Sequence, residues 1–546
     1  MKSSQLVFLL LTISILNCTS LKSQSWAWAR SATGNEFDQS STVIADAAGN
    51  VYVAGYFASD SITFGNITLQ NSSISFDEMF IVKYDPNGNV LWAQRAGGAD
   101  DDKPTSLSID PFGNIFLAGY YKSTTITFGS FTLNNTGNGD IFLVKYDNTG
   151  NVLWAKSEGG LALEIPYSIT NDAIGNLYVA GRFSSNSITF GTTTLLQQGS
   201  MDVFLVKYNS AGNIVWAKGA GSSSNDEAYG VTTDPSGNIF VTGYFNQNFN
   251  IGTFTLTTAG LGDIFVAKYD SSGTVLWANR AGGSGDDRIQ SIKTDANGNA
   301  YVAGYFASTS FTMGGVTISA NAGNNSVIGK YDPSGNVQWA HNIDGNSKAY
   351  SLLLINNQVY FCGTSNGDTL HYGPSTLMID GNADFFIGSC DNSGNKNWAI
   401  KQTSGGNSGE LAYALASSGN NLFVAGDFDS DPLTFGSSTI SNTDNGFDMF
   451  VAKLGGVSAS LPSQTLKTKI AISPNPTIDN FTINTSENID RCTLYSITGE
   501  LVYDAYNLNK HLQKSINISR LTPGIYFVEI LTNGQKTIEK LVKINP

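Results

Sequence analysis

Histidine is nearly absent from this chain. His341, His371 and His511 are the three in 546 residues, and none stands at metal-ligand spacing from another His or from a Cys. That speaks against a zinc site and against His-based acid–base chemistry. Cysteine is scarce too: four residues are too few for a disulfide framework. Cys18 falls in the leader and Cys492 is alone near the C-terminus. The repeat alignment given below puts Cys362 and Cys390 on strands one apart but not adjacent. That spacing leaves a bridge open but favours two buried free thiols. Charge is low at 14%, against roughly 25% in ordinary soluble domains. The cations are the minority, 30 Lys plus Arg against 44 Asp plus Glu, a net −14. Nucleic-acid binding needs clustered cations and is excluded on this balance. Cations, sugars and basic partners are not.

Long apolar runs are missing as well. The longest, Leu6 to Leu16, is about eleven residues, too short to cross the ~30 Å apolar layer of a bilayer as a helix. It follows Lys2 and precedes a polar stretch, so residues 1–24 read as a secretory signal peptide cleaved near Ser23 or Gln24. Cys18 raises a lipoprotein signal as the alternative, although Asn17 stands where such signals carry Gly, Ala or Ser.

Glycine, by contrast, is abundant at 58 residues, in a chain 41% hydrophobic and 11% aromatic. Such a chain has ample apolar surface to bury and is not disordered. Seven of the eight Trp recur at intervals of about 60 residues: Trp28, Trp92, Trp154, Trp216, Trp277, Trp339 and Trp398. A Gly within an aromatic segment interleaves with them, as in GNVYVAGYF around Gly55 and GNIFLAGYY around Gly119. A fixed period of this kind means a repeat array. Each unit reads as four strands with Gly-Asn turns after the first and third, and about twenty residues between the second and third, often containing an ITFG segment. The expected fold is all-β: a seven-bladed β-propeller over residues 25–455. The last unit stops after its third strand at Leu454, and the first Trp strand, Trp26 to Arg30, precedes the first complete unit. That spare strand can complete the last blade. The segments KYDPNGNVLWAQRAGG (Lys83 to Gly98) and KYDSSGTVLWANRAGG (Lys268 to Gly283) resemble the bacterial SBBP beta-propeller repeats. The resemblance implies the fold and no single activity.

Composition shifts after Gly456. A Ser-rich linker, residues 456–467, leads to a tail of short alternating strands over residues 468–546, read as a small Ig-like β-sandwich. Its motif residues are Pro474, Asn475 and Pro476, Gly499, Pro523, Gly524 and Tyr526, and finally Lys540 and Lys543. These resemble the type A C-terminal sorting domain of the type IX secretion system. The resemblance implies a Bacteroidota-type cell, Sec export to the periplasm, passage across the outer membrane through that machinery, and a secreted or surface location.

No catalytic residue is identified. Gly363-Thr-Ser-Asn-Gly367 matches the nucleophile-elbow pattern but sits in a strand of the sixth unit, away from the strand-to-helix turn the motif needs. The Asp-x-Asn-Gly-Asn stretches at Asp85 and Asp295 resemble calcium loops, but their recurrence at hairpins favours turns. Loops leading into the first strands are acidic: Glu36 and Asp38; Asp100, Asp101 and Asp102; Glu164; Asp226 and Glu227; Asp286 and Asp287; Asp344; Glu410. These should ring the mouth of a central channel, on the face where the long loops between strands two and three also open. As a functional site they suit Ca²⁺, a carbohydrate or a cationic partner, with Asp101, Asp226 and Asp286 as candidate ligands and Ca²⁺ the one cofactor in view. Alternatively each acid caps its own loop, a role that repetition favours. The Trp stripe is expected between neighbouring blades. The expected function is a secreted, non-enzymatic binding or structural module with a glycan or surface-protein ligand. The alternative is a polysaccharide hydrolase or lyase using paired loop acids.

Overall fold

The computed structural model describes residues 24–457 and 471–545, except 74, 321–322, 381, 404–407, 443–445, 485–488, 498–499, 507–512 and 533–534. Residues 1–23 of the expected signal peptide, with Cys18, most of the linker, Gly499 and His511 lie outside the described residues. All described secondary structure is β, and the chain divides into two compact units, residues 1–461 and 462–546.

In the first unit one pattern recurs seven times. The first sheet is Asp38–Ala45, Val51–Phe57, Glu78–Tyr84 and Val90–Ala96, hydrogen-bonded in that order and antiparallel throughout. Five more sheets follow it in sequence, their first strands being Asp102–Ile109, Ile165–Asn171, Glu227–Thr233, Asp287–Thr294 and Ser347–Ile355. The seventh has Glu410–Ser418, Asn421–Phe428 and Asp448–Gly455, and its fourth strand is Ser25–Ser31 from the start of the chain. The spare Trp strand therefore completes the last sheet.

The apolar cores lie between the sheets. Val51, Val53 and Phe57 pack with Phe423, Val451 and Trp28 of the seventh sheet, while Tyr52 and Ala54 on the same strand and Ile81 on the third strand pack with Leu117 and Phe142 of the second sheet. Seven such cores link sheets one to two, two to three, and so on to seven and one. This explains why the second strands, such as VYVAGYF and IFVTGYF, are apolar on both faces: each strand is covered on both sides. The Gly in them is required by crowding. A Cβ at Gly55 would stand 2.0 Å from the Gln39 carbonyl oxygen and 2.6 Å from the Phe80 ring.

Neighbouring sheets are also clasped at their outer edges. Each of six Trp lies on the positive-φ Gly of the next sheet's outer hairpin turn, from Trp28 on Gly88 to Trp339 on Gly394. Four of these indoles donate Nε1–H to a carbonyl of that turn: Trp28 to Pro86, Trp216 to Ser271, Trp277 to Pro333 and Trp339 to Asn392, at 3.1–3.2 Å. The Lys of the Lys-Tyr-Asp segment reaches the same turn, as in Lys83 Nζ to Asn148 O at 2.7 Å. The Trp residues thus pack between sheets. Trp398 is fully buried against the seventh sheet, which has no such turn.

Two expectations are corrected here. The long connections between strands two and three do not open as loops. Each contains a two-stranded hairpin, Ser61–Phe64 with Ile67–Gln70 in the first sheet. Ile62 and Phe64 are fully buried, and the positive-φ Gly65 at the turn lies on Val90 of the outer strand. A bridge from Thr63 to Thr33 reaches the end of the preceding sheet's outer strand. Alternating apolar residues fold the segment down onto the circumference. The second correction concerns Cys362 and Cys390, which lie on adjacent, paired strands, with Cys390 opposite Val359 and Cys362 opposite Ile387. Both are free and buried, and they face opposite cores, so no bridge joins them.

The second unit has two sheets, one of Ala471–Ser473, Asn480–Asn484 and Gln513–Asn517, the other of Leu501–Tyr506, Ile489–Ser496, Gly524–Thr532 and Gln535–Lys543. Phe481 and Ile516 from one and Leu494, Val528 and Leu541 from the other share a core.

The clasp makes a testable prediction. Gly335 and Gly113 have similar positive φ, +87° and +83°, so Ala at either costs ~1–2 kcal/mol in backbone strain. A Cβ at Gly335 would stand 2.8 Å from the Trp277 ring and from Asn279 Nδ2, whereas one at Gly113 meets nothing within 4 Å. Gly335→Ala should therefore lose a further ~1–3 kcal/mol in urea unfolding. Equal losses for the two would contradict the clasp.

Candidate functional site

Each first strand carries a β-bulge opposite its second strand. The register skips one residue per sheet: Ser41, Thr105, Tyr167, Tyr229, Gln290, Tyr350 and Tyr413. A bulge re-aims a side chain out of the ladder. All seven line one cavity of about 410 Å³. The first strands also neighbour one another in cyclic order, from the first sheet to the seventh and back. The cavity is therefore the channel at the centre of the seven sheets.

Two tyrosine pairs occupy part of its wall. Tyr167 and Tyr229 have ring centroids 5.0 Å apart, and Tyr350 and Tyr413 5.6 Å. The first pair is held from above. Tyr167 OH donates to Glu227 Oε2 at 2.5 Å and accepts from Arg182 Nε at 3.1 Å. Arg288 donates to Tyr229 OH at 2.9 Å and to Asp286 Oδ2 at 3.1 Å, and its guanidinium lies over the Tyr244 ring. Around the rest of the mouth, Lys103 pairs with Asp77 at 2.6 Å and covers the Tyr56 ring, and Lys348 covers Tyr305. Burial pushes the Tyr167 and Tyr229 hydroxyls above the usual phenol range, so they stay neutral.

The acidic ring expected at this mouth forms only in part: Glu227 and Asp286 stand there, each paired with an arginine. Asp38, Asp102, Glu164, Asp226, Asp287 and Glu410 are fully buried at the start of their first strands. Asp102 accepts from Gly98 N at 2.9 Å, Lys122 N at 3.1 Å and Ser123 Oγ at 2.7 Å. Asp287 does the same with Gly283 N, Ala307 N and Ser308 Oγ, and Glu164 with Gly160 N and Ser185 Oγ. The sixth sheet has Ser347 there, which explains why its loop acid, Asp344, falls elsewhere in sequence. Asp102, Glu164, Asp226, Asp287 and Glu410 thus tie their loops to the end of the second strand. The paired-carboxylate alternative needs two acids in one open cleft; these stand one per sheet, and where a second carboxyl approaches, as Asp384 does Glu410 through Gln402 Nε2, both are fully buried.

The three candidate metal ligands are likewise apart. Asp101 pairs with Lys122 at 2.8 Å, Asp286 positions Arg288, and Asp226 accepts from Ser222 N at 2.5 Å and Asn246 N at 3.1 Å. Among the described residues no group of three or more His, Cys, Asp or Glu stands close enough to hold a metal ion. The Asp-x-x-Gly-Asn stretches are turns. Asp85 Oδ1 accepts from Asn87 N and Asn89 N, and its Oδ2 from Asn89 Nδ2, all within 2.9 Å; Asp295 repeats this with Asn297 and Asn299. Ser365 of the Gly-x-Ser-x-Gly stretch ends a strand and is buried, bonded to the Gly345 carbonyl. His341 lies against Trp339 and bonds Tyr372 OH at 3.0 Å, and burial brings its imidazole down to about 3.

The tail motif residues are mostly structural. Asn475 donates Nδ2–H to the Lys540 carbonyl at 2.6 Å and accepts from Val542 N at 2.9 Å, which ties the Pro474–Pro476 segment to the last strand. Tyr526, buried two residues past Gly524 and three past Pro523, donates to the Thr522 carbonyl at 2.7 Å. Lys543 is buried and donates to the Ile478 carbonyl at 2.5 Å, whereas Lys540 is exposed.

Comparison with known proteins places both units. Residues 91–120 and 215–250 match the Beta-propeller repeat (SBBP) family model, and residues 471–545 match that of the Secretion system C-terminal sorting domain. The first unit is thus built of beta-propeller repeats. The second is a type IX secretion sorting domain, which marks the chain for the cell surface or beyond and for contact with the secretion machinery. Among curated proteins the chain is 24% identical over 435 residues to an uncharacterized WD repeat-containing protein of Acanthamoeba polyphaga mimivirus, covering 65% of this chain and 31% of that protein. It is 26% identical over 310 residues to the regulatory protein FlaEY of Caulobacter vibrioides, covering 51% and 31%. The chain thus spans 31% of the length of each of these relatives. Similar solved structures include the Neurospora crassa Pan2 WD40 domain, with a TM-score of 0.37, 10% identity and coverage of 78% of this chain and 95% of that one. Another is PorZ of Porphyromonas gingivalis, described as a surface component of the type IX secretion system, with a TM-score of 0.22, 10% identity and coverage of 94% and 100%.

The buried acids set a pH dependence. Burial pushes Asp102 up to about 6 and Asp226 up to about 7, against their hydrogen bonds. With unfolded values near ~4, their share of stability is complete below that pH and is lost as pH rises towards 7. The turn acids oppose this at the acid end. Slight burial raises Asp147, but hydrogen bonds from Asn151 and Thr149 outweigh it and bring it down to about 2, so its share is lost as pH falls from ~4. The melting temperature should peak on the acid side of neutrality and fall towards pH ~8, with Asp226→Asn flattening that descent. A melting temperature that rises between pH ~5 and ~8 would contradict it.

Proposed function

We propose that the first unit is a closed, seven-bladed β-propeller, that the tail is an Ig-like β-sandwich serving as an export address, and that the protein is a secreted, non-enzymatic binding module whose binding surface is the channel and its mouth. The blade reading is supported by the seven inter-sheet cores and by the completion of the last sheet from the first strand.

One observation carries the binding reading. The seven repeats keep the same residues where packing is repeated, as in the strand-two Gly and the outer-strand Trp. At the bulge they diverge: Ser, Thr, Tyr, Tyr, Gln, Tyr and Tyr. The positions flanking the bulge are mostly small, such as Ser40 and Thr42 or Ala349 and Ser351. A purely structural ring would reuse one solution seven times. Asymmetry directed into a single cavity is what recognition of an asymmetric ligand requires.

Two experiments test the reading. Deleting residues 467–546 should leave the protein inside the cell envelope, as read by fractionation; unchanged export would refute the address. The purified mature protein should adsorb to envelopes and extracellular matrix from its own cells, and Ser41→Trp, which fills the channel, should abolish adsorption. Thr132→Ala on a perimeter hairpin should have no effect. Adsorption that survives Ser41→Trp would place binding elsewhere.

A further inference from the structure

We propose that the channel seats a neutral saccharide between its two tyrosine pairs; this rests on reading the channel as the binding surface. The cavity wall carries hydroxyls, phenols and amides, and no side chain lining it is charged. Three of the four cations at the mouth are engaged by acids, Lys103 by Asp77, Arg182 by Glu227 at 3.4 Å and Arg288 by Asp286, while Lys348 lies over the Tyr305 ring and does not line the cavity. An anionic ligand would shed its hydration with no free countercharge in the cavity. A purely apolar ligand would strip water from the wall hydroxyls without replacing their hydrogen bonds. A pyranose satisfies both demands, with an apolar face for a tyrosine ring and a rim of hydroxyls for the wall.

The arrangement around the ring adds a direction. In blade order Gln290 stands between the Tyr167–Tyr229 and Tyr350–Tyr413 pairs, and the remaining bulge residues, Ser41 and Thr105, are small. The rings thus form one wall, and the short side chains leave space facing it. The first tyrosine pair is held in place by Glu227, Arg182 and Arg288, so little ordering is left for binding to supply. A cavity of about 410 Å³ lies within the ~300–1,000 Å³ range of small-molecule sites.

The test titrates the full mature chain with cellohexaose, mannohexaose and maltohexaose, with hexagalacturonic acid as the anionic probe, by calorimetry and saturation-transfer NMR at low and high salt. At least one neutral hexasaccharide should bind with little salt dependence. Tyr413→Ala and Tyr229→Ala should weaken that binding about tenfold or more, the scale of a lost aromatic anchor. Ser41→Trp should block it, and Tyr413→Leu, which removes the aromatic face but keeps most of the volume, should weaken it likewise if the alanine variant fails to fold. Binding of hexagalacturonic acid alone, abolished by salt, would overturn the neutral class while leaving the channel as a binding surface. Binding of a neutral probe undiminished by the channel variants would overturn the location. No binding by any probe would overturn the proposal, and envelope adsorption would still decide the broader reading.

Discussion

The pairing of Ser25–Ser31 with Asp448–Gly455 is the contact on which the rest depends. A sheet whose apolar surface lies on both faces is stable only with a neighbour on each side, so an open row of seven would expose two faces. Here the first strand of the chain supplies the last sheet's outer edge. It also delivers Trp28 to the core between the seventh and first sheets, and to the turn at Gly88. Residues some 420 positions apart thus stand as neighbours, and in the proposed closed propeller this pairing holds the seven bulges around one cavity.

Three devices make the ring regular. Aspartates cap the outer and inner hairpin turns, tryptophans lie on the turn glycines of the next sheet, and buried acids tie each loop to its own second strand. All three recur in most sheets because each solves a problem the repeats share, although Asn209 replaces one turn Asp and Ser347 one buried acid. They also account for most of the negative charge at these positions, which therefore says more about turns and loops than about a partner. What does not repeat is the bulge residue and its neighbours at the mouth, where Lys103, Arg182, Arg288 and Lys348 meet tyrosines.

Much of this was legible in the sequence. Tryptophan and glycine spacing gave seven units, and the missing last strand pointed to closure. Motifs such as Asn475 and Tyr526 pointed to the sorting domain, where Asn475 bonds across to the last strand and Tyr526 bonds back to Thr522. The misreadings share one cause, the reliance on local spacing. Asp102 looked like a loop acid because its partner Ser123 lies 21 residues on, brought in by strand pairing. The perimeter hairpins carried a readable signal in alternating Ile62 and Phe64 before Gly65, and a Thr pair, Thr63 with Thr68, facing outward. The bulge had no such signal. The extra residue shifts the alternation by one, but Ser40-Ser41-Thr42 are all small and polar, so the shift is hidden and only the register reveals which side chain enters the channel.

The most direct measurement is amide hydrogen exchange across the closing strand. The account predicts that the paired amides of Ser25–Ser31 exchange as slowly as those of the outer strands Val90–Ala96 and Val152–Glu158, and together with those of Asp448–Gly455. Free exchange over residues 25–31, with protection kept elsewhere, would show that the ring is not closed by this strand and would contradict the account.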